Sequence, residues 1–130
     1  METFLFTYGT LRLNYEHPMA KALVEASELY GLGYIKCARL YRVDWYPALV
    51  LTNNDKDVVV GDIFKIHDLS ILRQLDDYEG VKSDDTFSEY RREKIKVYMD
   101  NNVADCWIYI YNVKLSDNAV LIASGDFLNP

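Results

Sequence analysis

Two stretches of this chain carry hydrophobic residues at helical spacing, and most of the remainder reads as short strands. Met19, Ala22, Leu23 and Ala26 line one face behind Pro18, a residue suited to a first helical turn because its missing N–H would have no partner there. Leu69, Leu72 and Leu75, flanked by Ile71 and Tyr78, line a second face from about Asp68 to Glu79, and Gly80 stands where a helix stops. Thr3 to Thr7 is an apolar run closed by Tyr8-Gly9, which predicts a buried strand entering a tight loop. Tyr34 to Val43 is strand-like. Pro47 to Thr52 and Val58 to Ile66, separated by Asn53-Asn54-Asp55, read as one hairpin. Tyr90 to Met99 and Val103 to Asn112 read as another, across Asp100-Asn101-Asn102, with Trp107, Tyr109 and Tyr111 on one face. Val81 to Ser88 is polar and reads as a loop, and Ser124 to Leu128 as a loop or closing edge segment. The pattern predicts an α+β fold: a small mixed barrel or strongly curved sheet with two main helices.

Composition narrows the class. A length of 130 residues fits one domain, taken as 1–130, without repeats or long linkers. Fourteen basic and 20 acidic residues leave a net charge of -6, which offers no electrostatic footprint for nucleic acid or an anionic membrane. No apolar run approaches a membrane span, and Met1 to Phe6 lacks the basic flank of a signal peptide. A cytoplasmic protein is expected. Cys37 and Cys106 read as reduced core thiols, with a disulfide as the alternative. The 11 tyrosines suggest polar-tipped aromatics lining a sheet or cavity.

The candidate chemistry is sparse. His17 and His67 are far apart with no other ligand types at metal spacing, so no metal site is expected. Neither cysteine has a neighbouring histidine to activate it. Arg91 to Lys96 alternates with strand period and reads as a solvated sheet face. Tyr8-Gly9-Thr10-Leu11 is more informative. A glycine straight after a buried strand lets backbone N–H groups converge as an anion or oxyanion cradle, although a structural turn explains it too. Glu79 closes a helix whose last turn also holds Asp76 and Asp77. Charge repulsion there disfavours the ionised form, and a glutamate tuned upward is a competent acid and base near neutral pH. The bland reading is three solvated acids.

The motifs Tyr8-Gly9-Thr10-Leu11-Arg12, Tyr46-Pro47-Ala48-Leu49-Val50, Gly61-Asp62-Ile63-Phe64, Leu75-Asp76-Asp77-Tyr78-Glu79-Gly80 and Tyr90-Arg91-Arg92 follow one another in a telling order. With Trp107 to Tyr111 and Ser124-Gly125-Asp126, the chain resembles the gamma-glutamylcyclotransferase-like (AIG2-like) family over nearly its whole length. The resemblance implies a small α+β barrel whose cavity binds a gamma-glutamyl group. It implies that the backbone of Tyr8, Gly9, Thr10 and Leu11 holds the substrate, and that Glu79 is the catalytic acid and base. The implied reaction is intramolecular: the substrate's alpha-amine attacks its gamma-carbonyl and releases 5-oxoproline with a free amine or amino acid. No metal, cofactor or protein nucleophile is required, and the only partner expected is the small gamma-glutamyl substrate. A non-catalytic ligand sensor on the same fold is one alternative. A cyclotransferase that removes a gamma-glutamyl protecting group in natural-product biosynthesis is another. The polar tract Lys82 to Glu89 and the segment Leu13 to His17 depart from the family pattern. These departures bear on the leaving group, which the sequence leaves open along with the oligomeric state.

Overall fold

The computed structural model of the chain describes residues 2–9, 18–43, 46–79 and 90–129. The strands are β1 (Thr3–Thr7), β2 (Ser27–Lys36), β3 (Ala38–Val43), β4 (Tyr46–Leu51), β5 (Val58–Ile66), β6 (Tyr90–Tyr98), β7 (Val103–Tyr111) and β8 (Val120–Leu121). The helices are α1 (Pro18–Glu25) and α2 (Ser70–Glu79). Five strands close a barrel in the order β1-β5-β2-β6-β7, and β4-β3-β8 form a separate three-stranded sheet. The barrel is mixed because β1 meets β7 in parallel at Leu5–Trp107, whereas its other pairings are antiparallel. The α+β barrel with two helices expected from the sequence is the architecture found. Among the described residues no helix is long and apolar enough to cross a membrane.

Alternation along the strands divides the core in two. Phe6, Ile35, Val59, Ile63, Val97, Cys106, Ile108 and Ile110 come from all five barrel strands and pack together in its interior. The intervening positions Leu5, Phe64, Tyr90 and Tyr109 point outward and pack under Leu23 of α1 and Ile71 and Leu75 of α2. Gly33 and Gly61 face each other across β2 and β5. A Cβ on Gly33 would lie 2.8 Å from both the Ile63 Cδ1 and Val97 Cγ1 atoms, so its small size is what admits these fillers. The second helix begins where the sequence suggests: Asp68 Oδ1 accepts hydrogen bonds from the Ser70 amide (3.0 Å) and hydroxyl (2.7 Å), capping the first turn.

The strand boundaries and pairings in the middle of the chain differ from those expected. The segments on either side of Asn53-Asn54-Asp55 do not form a hairpin: β4 pairs with β3, and β5 pairs with β1 and β2. The strand-like run from Tyr34 to Val43 is broken at Cys37, whose φ of 60° turns the chain out of the barrel. The Thr52 amide donates to the Cys37 carbonyl at 2.7 Å, so β4 ends beside the point where β3 starts. Asp57 then accepts from Arg39 (3.1 Å) and the Thr52 hydroxyl (2.9 Å), fixing a crossover between sheets. β2 also starts earlier than the pattern suggests, at Ser27, with a register shift between Leu29 and Gly31. The β6–β7 hairpin has the expected partners, paired from Tyr90–Tyr111 to Tyr98–Val103. Ser124 to Leu128 is a loop, and its Gly125 carbonyl accepts from the Val60 amide at 2.8 Å. The polar segment Val81 to Ser88 lies outside the described residues.

Candidate active site

β1 delivers Tyr8 and Gly9 at its C-terminal end, and both are buried. The Tyr8 hydroxyl donates to the main-chain carbonyl of Tyr109 on β7 at 2.6 Å. Gly9 sits against the ring of Pro47: a Cβ there would fall 2.3 Å from the Pro47 Cγ. The glycine is therefore demanded by packing, independently of any ligand that the backbone holds. Pro47 can occupy this place because β4 is an edge strand, where a missing amide costs no ladder bond. Its carbonyl accepts from the Tyr90 hydroxyl. Thr10 and Leu11, the rest of the expected cradle, lie outside the described residues.

Glu79 is the last residue of α2; its side chain lies outside the described residues. Three positions earlier, Asp76 is held from two strands. Arg92 Nε donates to Asp76 Oδ1 (2.7 Å) and Arg92 Nη2 to Asp76 Oδ2 (3.1 Å), a bidentate charge-assisted pair. The Tyr109 hydroxyl donates to the same Oδ1 at 2.8 Å. The Arg92 guanidinium also lies 4.4 Å from the centre of the Trp107 ring, which fixes its plane. Asp76 carries a matched negative charge, so it does not repel a neighbouring carboxylate as a bare one would.

The basic stretch is not uniformly solvated. Lys94 and Lys96 are exposed, as a solvated sheet face requires, but the Arg92 side chain is only 22% exposed and committed to Asp76. Arg92, Tyr109, Tyr90 and Pro47 stand in the motifs that carry the family resemblance, but the sequence alone assigns them no role at the site. The signal was available for one pairing, because the register of the β6–β7 hairpin sets Arg92 directly opposite Tyr109.

The remaining chemistry is quiet. Burial, helped by the nearby Asp105, pushes the Cys106 thiol up to about 12, so it carries no thiolate at neutral pH. Cys37 and Cys106 are both free. His67, just past the end of β5, stands 3.6 Å from Glu28 with both side chains exposed. His17 lies outside the described residues, and among those described no three histidine, cysteine or acidic residues gather as a metal site would require.

The family model for gamma-glutamyl cyclotransferase, AIG2-like proteins matches residues 5–129. The chain belongs to this family. No functionally curated protein matches it. Solved structures of the AIG2-like fold do. The ytfP protein of Escherichia coli is 27% identical, with a TM-score of 0.67 and 98% of this chain aligned to 97% of that one. YkqA of Bacillus subtilis is 23% identical with a TM-score of 0.72, and 98% of this chain spans only 40% of that protein's length. A structure titled gamma-glutamyl cyclotransferase is 17% identical, with a TM-score of 0.63 over 85% of this chain and 67% of that one. At such low identities, the last two establish a shared AIG2-like fold.

Proposed function

We propose that this AIG2-like chain is a cyclotransferase acting on a small gamma-glutamyl amide. The substrate's alpha-amine attacks its own gamma-carbonyl, a carbon–nitrogen bond closes the five-membered ring, and the original gamma-amide bond breaks. The products are 5-oxoproline and a free amine or amino acid. Glu79 takes one proton from the alpha-ammonium and gives it to the departing nitrogen, and the second proton shed by the ring nitrogen as the lactam forms ends on the released amine, so the step balances without a co-reactant. Backbone amides of Tyr8 to Leu11 bind the substrate's alpha-carboxylate or its developing oxyanion. Most of the acceleration comes from folding the substrate into an attack-ready shape, since well-oriented intramolecular reactions reach effective molarities of about 10⁵–10⁸ M.

One observation carries this reading beyond family membership. Tyr109 receives the Tyr8 hydroxyl on its carbonyl and gives its own hydroxyl to Asp76, one helical turn before Glu79. The two segments assigned to substrate holding and proton transfer are thus anchored to a single residue. The test is incubation with a panel of gamma-glutamyl amines and peptides, scored for 5-oxoproline. We expect release of 5-oxoproline and leaving amine in equal amounts from at least one compound. Recovery of every compound intact, with binding retained, would replace the enzyme by a ligand sensor.

A further inference from the structure

We propose that Tyr109 is a positioning residue, fixing the C-terminal turn of α2, and Glu79 with it, relative to the strand end that carries Tyr8 and Gly9. Its kinetic consequence rests on the cyclotransferase reading; its structural consequence does not. The last four carbonyls of a helix have no partner within the helix, so the direction of its final turn depends on what side chains there can grip. In α2 the grip is Asp76. Its two oxygens take Arg92 from β6, and Oδ1 also takes the Tyr109 hydroxyl from β7.

Arg92 is restrained on its edge by Asp76 and on its face by Trp107, so it cannot follow the helix freely. Tyr109 adds what Arg92 lacks. Its ring is 3% exposed within the core under the helices, and its carbonyl is the acceptor for Tyr8. Movement of the last helical turn is therefore passed to the end of β1 through one rigid aromatic residue. Asp76 and Tyr109 are 33 positions apart, and Tyr8 and Tyr109 are 101 apart, so no local chain geometry enforces this alignment.

The test is Tyr109→Phe, which keeps the buried ring and the backbone carbonyl and removes only the hydroxyl. Hydrogen–deuterium exchange and steady-state kinetics are read on the same preparation, with Tyr34→Phe as a remote control. Exchange is expected to rise both in the last turn of α2 and at the Tyr8 and Gly9 amides. Turnover per folded molecule is expected to fall about 10- to 100-fold, because small misplacements of reacting groups carry penalties of that order. KM should move less than about threefold, and Tyr34→Phe should change nothing. A structural hydroxyl alone would lower the melting temperature and leave kcat intact; that result overturns the proposal, as does a loss carried by KM. Faster exchange in only one segment, or in neither, overturns it as well. If the wild-type chain yields no 5-oxoproline, the cyclotransferase reading falls, and the exchange pattern alone still decides the role of Tyr109.

Discussion

The two faces of the β6–β7 hairpin use the same backbone for opposite ends. On the inward face, Cys106, Ile108 and Ile110 fill the barrel with Val97, and all of them are essentially inaccessible. On the outward face, Trp107, Tyr109 and Tyr111 alternate with them and meet Tyr90, Arg92 and the helices. The inward side chains need only the right volume. The outward ones are aromatic bodies with polar tips, and each tip requires a partner at a defined place. Stability should therefore be concentrated on one face and chemistry on the other, one residue apart along a strand.

The largest expected effect removes chemistry without removing fold. Glu79→Gln should cut 5-oxoproline release by about 10²–10⁴-fold, the usual worth of general acid–base assistance. Its thermal midpoint should be no lower than wild type, because a helix C-terminus gains nothing from negative charge. A fully active, stable Glu79→Gln protein would detach the outward face from catalysis. The mirror experiment is Ile108→Ala. Emptying a fully buried position typically costs about 2–5 kcal/mol, so denaturant unfolding should show a loss in that range. The folded fraction should turn over at the wild-type rate, and a drop in kcat at constant KM would show that the barrel interior also shapes the site.

The smallest effect lies at the other end of α2 and depends on pH. Hydrogen bonds from the Ser70 hydroxyl, then from its amide, hold the Asp68 carboxyl below the ordinary carboxylate value. A depressed pKa stabilises the fold above the unfolded value of roughly 3.9, and that contribution disappears as pH falls through the lower folded value. The melting difference between wild type and Asp68→Ala should therefore be largest near neutral pH and shrink on acidification. A difference that widens in acid would mean that the cap does not work as a carboxylate.

Local features were legible in the sequence, and long-range ones were not. The helical spacing of apolar residues located α2, although the face it buries carries Ile71 and Leu75 while Leu69 lies before the helix and is exposed. A short polar turn between alternating runs identified the β6–β7 hairpin. Both signals lie within a few residues of the structure they specify. The false hairpin between β4 and β5 arose because adjacent apolar runs were paired with each other, while their true partners are β3 on one side and β1 with β2 on the other. Nothing in the residue type announces that Cys37 adopts a positive φ, since that conformation is normally left to glycine. The same limit applied at the site. Tyr8, Gly9 and Glu79 are proposed from motifs, but the pairing of Asp76 with Arg92 is a tertiary fact. It converts an apparent cluster of repelling acids into a partly neutral one.

The register shift in β2 bears on how the chain behaves among its neighbours. Among the described residues, Ser27 to Gly33 have ladder partners only in β5, since β2 meets β6 at Tyr34–Tyr98 alone. A free strand edge beside exposed Leu29 and Leu32 is the kind of surface on which aggregates start. Here the row of amides is interrupted: the shift turns Tyr30 toward Phe4, with ring centres 4.8 Å apart, and Glu28 places a charge beside it. A strand from another molecule would find no straight register to copy, so the bulge disfavours edge-to-edge pairing with a second chain.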